Sequence, residues 1–301
     1  MSNGIKPIPL LVYVISPLHV GTGRSSGVVD LPIQRDPFNY PIVYSSSFKG
    51  ALKSHCSSLY DQAINDGRIN CNKAPLCCCL FGPESGDDTG SGVVTVTDLI
   101  PLFVPVPSIT HGYIYVTSKY LINRALDVLG LSDKDDLTAL LTGMAGVEGG
   151  KVDVAGMTKP LMGPKSDTAK KALGAVAGLG KLTEKLNEGI VILDDAEGSE
   201  VLERSYIRVT RNKIDISKKV VEDRALWTEE YLPQGTVMFS MIIPSVPKEN
   251  KYCGEKTCEG GCFNEKLKEY RGKVGKGNNW FYINLGGKET IGKGIVKVAF
   301  F

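Results

Sequence analysis

Pro7 to Ile15 is apolar at nearly every position. A strand without a polar face has nothing to offer water, so this segment is expected near the middle of a covered sheet. No tight turn follows it. Residues 17–46 form a long irregular connection rich in Gly, Ser and Pro. Connections of that length in compact domains are usually functional. Ser46 or Ser47 is then expected to cap a helix running to about Asn65, with Phe48, Leu52, Cys56 and Leu59 or Tyr60 on its buried stripe.

The long connection and the helix after it carry an unusual set of groups. His19-Val20-Gly21-Thr22-Gly23 is a glycine loop, Asp30 an isolated acid between apolar neighbours, and Lys49 and Lys53 lie one helical turn apart. Glycine loops let backbone N–H groups approach phosphate, and a helix start adds unpaired N–H groups and positive potential. An acid gains nothing electrostatically in such surroundings, so Asp30 is assigned to chemistry or metal binding. Its bland alternative is a turn acid, and His19 is either a general base or a structural histidine.

Charge is distributed unevenly beneath a net +2. Residues 1–203 carry 17 basic and 22 acidic side chains, whereas residues 204–301 carry 18 and 11. A basic C-terminal third suits a polyanion or is simply a solvated lysine surface. No apolar run approaches the ~20 residues of a membrane helix, and the start of the chain lacks a signal-peptide pattern. A cytoplasmic protein with no membrane partner is expected. Eight cysteines are many for such a chain. Cys253, Cys258 and Cys262 resemble a zinc loop without a fourth ligand, the rival reading being a disulfide.

Further along, the stretch Cys71–Gly92 reads as loop and Val93–Asp98 as a strand. Tyr113–Val116 reads as another strand, and Ser118 caps a helix through Leu129. Leu137–Leu141 and Ser166–Asn187 have helical character, residues 142–165 read as a mobile glycine- and lysine-rich segment, and Ile190–Leu193 is a short strand. Tyr206–Arg211 and Ile214–Ile216 alternate around Asn212-Lys213, which predicts a β-hairpin extended by Val220 and Val221. Its outward face carries Arg208, Arg211, Lys213, Lys218 and Lys219, and Glu229, Glu230 and Tyr231 follow Trp227 in the return arm, their bland role being a solvated strand or turn. Thr236–Ile243, Trp280–Leu285 and Ile295–Phe301 are strands and Asn264–Arg271 a helix. The uneven mixture is α+β with ferredoxin-like βαββαβ character.

Gly287 to Lys293 fits GxxxxGK, yet Gly294 stands where a P-loop needs Ser or Thr, and too little chain follows for its helix. What survives is a glycine-rich loop between two strands, offering Gly287, Lys288 and Lys293 to phosphate. Neither a Ser-His-Asp order nor a Rossmann fingerprint is present.

Taken together, His19–Gly23, Asp30-Leu31-Pro32-Ile33-Gln34-Arg35, Ser46–Lys53, Leu80-Phe81-Gly82, Val106-Pro107-Ser108 and Gly286–Gly294 resemble the RAMP superfamily. Within it the chain is similar to backbone subunits of the type III-B (Cmr) CRISPR effector complex. Asp30–Arg35 and Ala225–Pro233 are the discriminating segments; the cysteine-rich loops and residues 142–180 match no motif. The resemblance implies one RAMP domain over residues 1–301, with a modified ferredoxin-like (RRM-like) palm and a β-hairpin thumb at roughly 204–234. Insertions are expected at roughly 66–92 and 131–203. It also implies copies stacked on a guide CRISPR RNA beside other Cmr subunits, each thumb displacing a base pair of the guide–target duplex.

Cleavage of target RNA by ribose 2′-OH attack, dependent on Mg²⁺ or Mn²⁺, would place Asp30 at the scissile phosphate as metal ligand or proton acceptor. His19, Glu229, Glu230 and Tyr231 complete the expected catalytic set. Gly21, Gly23, Ser46, Ser47, Lys49, Lys53, Arg208, Arg211, Gly287, Lys288 and Lys293 are the expected RNA contacts. The alternatives are a non-catalytic RNA-binding scaffold and a guide-processing nuclease with a histidine-centred site.

Overall fold

A computed structural model describes residues 7–25, 27–84, 90–129, 147–163, 185–186, 188–245, 249–254, 258 and 260–300. The apolar run forms β1 (Ile8–Val14). It sits, as expected, inside a sheet, between β12 (Val237–Pro244) and β14 (Ile295–Phe300). Both pairings are antiparallel, with Leu10 opposite Ser240 on one side and Phe300 on the other. Beyond β12 lies β5 (Ile100–Ser108), also antiparallel, and beyond β14 lies β13 (Trp280–Asn284). Among the described residues these strands, with β4 (Val94–Val96) also against β12 where Val93–Asp98 reads as a strand, belong to a ten-stranded sheet. The α+β class holds.

β5 carries Pro101, Pro105 and Pro107. It tolerates them because it changes partner midway: Ile100–Phe103 pair with β12, and Val104–Ser108 pair with β6 (Gly112–Ser118). Each half has one ladder to satisfy, so a missing N–H can face the unpaired side. From β6 the sheet continues through β9 (Ile190–Leu193) to a hairpin of β8 (Met157–Gly163) and β7 (Val147–Val154). Residues 147–163 are therefore paired strands and not the mobile segment expected. Ala155 and Gly156, both at positive φ, make the turn that alternation alone did not announce. The helices expected over Leu137–Leu141 and Ser166–Asn187 lie outside the described residues, apart from Lys185, Leu186 and the start of their connection to β9.

α1 (Ser45–Ser58) buries Phe48, Leu52 and Cys56, the expected stripe, but ends before Asn65. Asp66 and Gly67, with φ of 48° and 75°, turn the chain back between the short strands β2 (Ile64–Asn65) and β3 (Arg68–Ile69). No serine caps α1 either. Tyr44 occupies the cap, and the Ser45 N–H donates to Asp98 Oδ1 at 2.6 Å. The loop expected over Cys71–Gly92 contains α2 (Pro75–Phe81), entered through a proline whose missing N–H costs nothing at that position. Ser118 does start α3 (Lys119–Leu129), its Oγ accepting from Leu121 N–H.

A separate two-stranded hairpin projects from the sheet: β10 (Ile207–Asp215) and β11 (Val220–Tyr231). Its turn lies at residues 216–219, not at Asn212-Lys213, where the ladder instead has a bulge. The remaining helices are α4 (Asp195–Glu203), leading into the hairpin, and α5 (Gly260–Gly275), which lies between β12 and β13 in the chain. All eight cysteines are paired: Cys56–Cys77, Cys71–Cys78, Cys79–Cys253 and Cys258–Cys262.

Candidate functional site at the hairpin base

The base of β11 is where most of the expected site residues meet. On its open edge the 30–35 loop lies alongside as an extra strand: Leu31 N–H donates to Thr228 O, and Glu230 N–H to Leu31 O. Asp30 is fixed at the head of that contact. Its Oδ2 accepts from Thr228 N–H at 2.7 Å and Thr228 Oγ1 at 2.9 Å, while its own N–H lies 2.9 Å from Thr228 Oγ1. Those bonds, with Arg24 nearby, hold its carboxyl below the usual carboxylate range against a small desolvation effect. Asp30 is half-exposed, and Oδ1 takes none of these bonds. The side chain is thus ionised, aimed by Thr228 and reachable.

The next two acids are buried, which excludes their bland alternative of a solvated strand or turn. Glu230 is 1% exposed and Glu229 0%. Glu230 pairs with Arg35 at 2.8 Å and with its cross-strand neighbour Arg208 at 3.2 Å, and also accepts from Ile33 N–H. It clamps the 30–35 loop to the hairpin. Glu229 faces the opposite side, as alternation along a strand requires. It receives Trp227 Nε1–H at 2.7 Å, Lys288 Nζ at 2.6 Å and the Tyr231 hydroxyl. Burial alone would raise its pKa, but the Lys288, Tyr231 and Trp227 hydrogen bonds and the Lys288 charge outweigh it and bring it to about 2. Burial and the Glu229 carboxylate push Tyr231 well above the ordinary phenol range.

His19 is buried against the same region. Its Nδ1 lies 2.7 Å from Glu230 O, and since a carbonyl only accepts, Nδ1 carries the proton. Its ring lies 5.4 Å from that of Tyr231. A Cβ on Gly21 would stand 2.8 Å from His19 Nε2, and one on Gly286 only 2.2 Å from His19 O. Glycine at 286, against backbone and at φ +79°, is therefore a packing requirement, a side chain at 21 would have to shift the buried His19 ring, and the Gly287 N–H donates to His19 O at 2.9 Å. Gly23, at φ +95°, is free of close neighbours. The 286–294 loop joins β13 to β14, as read from sequence. It places Lys288 on Glu229, and Lys293 Nζ 5.4 Å from the Tyr231 ring centre.

Gln34, buried at 6% exposure, ties this cluster to α1: its Nε2 donates to Gly21 O and its Oε1 accepts from Tyr44 N–H. Ser46 is exposed and Ser47 half-buried at the helix start. Lys49 leans on the sheet, Nζ 3.3 Å from Val94 O, and Lys53 lies 3.9 Å from Glu84. Burial, and for Lys49 also the Lys53 charge, lowers both lysines from their ordinary range. No contact joins them to Asp30 among the described residues. Arg208 is divided between Glu230 and Glu203, and Arg211 is half-buried opposite Trp227. Thr228, Arg35 and Gln34 are the residues whose roles were not read. Each lies inside a segment singled out for its motif, but its partner comes from elsewhere in the chain.

A divalent cation can be tested against this geometry. Asp30 Oδ1 takes no bond from another residue among those described, and Glu229 and Glu230 are committed to cations. Among the described residues no three His, Cys, Asp or Glu converge on Asp30. One carboxylate completed by water and substrate phosphate is an arrangement Mg²⁺ uses, so the site fits such an ion.

Comparison with known proteins places this chain in a family. A family model for the RAMP superfamily matches residues 11–297. The chain is 30% identical over 302 aligned positions to the CRISPR system Cmr endoribonuclease Cmr4 of Pyrococcus furiosus, covering 96% of this chain and 93% of that one. It is 27% identical to the CMR subunit Cmr4 of Saccharolobus solfataricus, covering 96% and 95%. A chain from the cryo-EM structure of the type III-B Cmr-beta complex bound to cognate target RNA superposes with a TM-score of 0.70 at 26% identity, over 98% of this chain and 97% of that one. No helix among the described residues is long and apolar enough to cross a membrane. With the family model spanning nearly its whole length, the chain belongs to the RAMP superfamily and, within it, resembles the Cmr4 backbone subunits of type III-B CRISPR complexes.

Proposed function

We propose that this chain is a cytoplasmic guide-RNA-binding filament subunit of a type III-B effector complex, and that it cuts complementary target RNA at Asp30. One observation carries the reading: among the described acids at the hairpin base, Asp30 is the one that is half-exposed and has a carboxylate oxygen taking no bond from another described residue. The names of the relatives from Pyrococcus and of the target-RNA-bound complex point the same way. The order β14-β1-β12-β5, antiparallel throughout, has α1 and α5 in its two crossovers. This supports reading the core as a ferredoxin-like palm, and the β10–β11 hairpin as a thumb, within a single domain over residues 1–301 carrying insertions at roughly 66–92 and 131–203.

In this reading the ribose 2′-OH of a displaced target nucleotide attacks its own phosphate, leaving a 2′,3′-cyclic phosphate and a 5′-OH. Regular A-form geometry prevents the in-line approach, so positioning supplies much of the rate. Asp30 takes the 2′-OH proton at Oδ1 or lends that oxygen to Mg²⁺ or Mn²⁺; a bound ion would neutralise charge on the phosphate. Thr228 aims the carboxylate. Lys288, Lys293, Arg211 and the glycine loops at Gly21, Gly23 and Gly287 line the approach for the RNA backbone, the Gly287 N–H being spent on His19 O. Ser46, Ser47, Lys49 and Lys53 grip guide phosphates from α1. His19, Glu229, Glu230 and Tyr231 act from beneath by holding the loops in place.

The test is cleavage of end-labelled RNA by the complex reconstituted with guide RNA and the other Cmr subunits. Asp30→Ala is expected to abolish cutting while assembly and target binding stay within twofold. Cleavage by wild type is expected to stop with EDTA and with a 2′-deoxy nucleotide at the scissile position. Persistent cutting by Asp30→Ala would leave only the scaffold reading.

A further inference from the structure

Read along the sequence, Cys253, Cys258 and Cys262 lack a fourth ligand. The fold supplies one, because Cys79, 174 residues before Cys253, ends at the same place. We propose that Cys79, Cys253, Cys258 and Cys262 form a tetrathiolate site for Zn²⁺. In this proposal the disulfides Cys79–Cys253 and Cys258–Cys262 are the oxidised, metal-free form of that site.

The sulfurs of Cys79, Cys253 and Cys258 all lie within 4.8 Å of one another, and Cys262 is bonded to Cys258. Two separate disulfides therefore sit against each other, whereas Cys56–Cys77 and Cys71–Cys78 stand outside the cluster. Four sulfurs about 2.3 Å from a central zinc lie about 3.8 Å apart. Once the S–S bonds open, small side-chain rotations reach that arrangement. Cys79, Cys253 and Cys258 are 0%, 3% and 4% exposed and Cys262 is partly buried at the rim, so three of the four ligands are closed off from water in the manner of structural zinc.

One half of the cluster is held by more than sulfur bonds. The Asn250 side chain donates to Cys78 O at 3.1 Å and Ser91 O at 3.0 Å, and accepts from Tyr252 N–H at 3.0 Å. The segments bearing Cys79 and Cys253 are thus latched together by a buried amide. Cys262 lies in the first turn of α5, whose unpaired N–H groups and dipole favour a thiolate. Opening the two disulfides takes four electrons, two per bond, from a dithiol-class or phosphine reductant, and four protons, which come from the dithiol itself or, with a phosphine, from water as the phosphine oxide forms. Binding one Zn²⁺ then releases the four thiol protons.

The full chain, reduced anaerobically with a phosphine, would be titrated with Co²⁺ and then Zn²⁺. One equivalent of metal per chain is expected. The cobalt form should show near-ultraviolet sulfur-to-cobalt charge transfer and the intense visible bands of tetrahedral thiolate coordination, both bleached by Zn²⁺. Cys258→Ser/Cys262→Ser should lose these bands and weaken metal retention at least tenfold, while Cys71→Ser/Cys78→Ser should keep both. Absence of tetrahedral thiolate bands in the reduced wild-type chain would overturn the proposal, whatever the variants do. Equal loss of metal in both double variants would overturn it too.

Discussion

Lys288→Met isolates the ion pair on which the hairpin base rests. Glu229 is fully buried, and Lys288 Nζ lies 2.6 Å from its Oε1 with the lysine side chain 30% exposed. Charges about 3 Å apart attract by about 5 kcal/mol at an effective dielectric of about 20. Breaking a buried pair by removing one partner costs about 3–5 kcal/mol. Partial exposure of Lys288 puts this case at the low end, about 3 kcal/mol. Replacing the carboxylate as well, in Lys288→Met/Glu229→Gln, removes the stranded charge and should recover most of that loss.

The pH dependence gives an independent handle. A glutamate at about 2 in the folded chain, against an ordinary value near 4.5, is worth about 3 kcal/mol. Because the folded value is the lower one, this stability is fully present above pH ~4.5 and is lost as pH falls toward ~2. Urea unfolding of wild type, Lys288→Met and the double variant at pH 7, 4.5 and 2.5 measures both effects. The single variant should have a lower midpoint at pH 7 and a flatter acid profile than wild type. A wild-type midpoint and wild-type acid profile for Lys288→Met would refute the argument.

Two further outcomes follow from the geometry. Gly286→Ala forces a Cβ to 2.2 Å from His19 O at φ +79° and should lower the melting temperature by about 5 °C or more. Gly277→Ala, also at positive φ but in open space, should cost clearly less, and equal melting shifts would deny that the 286–287 turn clasps His19. Lys49→Glu should weaken RNA binding about tenfold at low salt, with the loss shrinking at high salt as phosphate contacts are screened. A loss independent of salt would mean that Lys49 acts only through its contact with Val94.

Local patterns in the chain announced much of this protein. An apolar run with no polar face had to be a central strand, and β1 is one. Phe48, Leu52 and Cys56 at helical spacing fixed which side of α1 is buried. The isolated acid in a glycine-rich loop picked out Asp30. The readings of β1 and α1 hold because each depends on neighbours within a few residues, and the Asp30 reading rests on the same kind of local pattern.

Tertiary structure decided what depends on distant partners. The burial of Glu229 and Glu230 follows from cations at Lys288, Arg35 and Arg208, so two acids that look solvated along β11 are ion-paired supports. The helix cap comes from Asp98 and the aim of Asp30 from Thr228, far along the chain in each case. The convergence of Cys79 with Cys253 and Cys258 is of the same kind. Charge burial and side-chain convergence are set by which segments the sheet brings side by side. That adjacency has no period or spacing to be read along a chain.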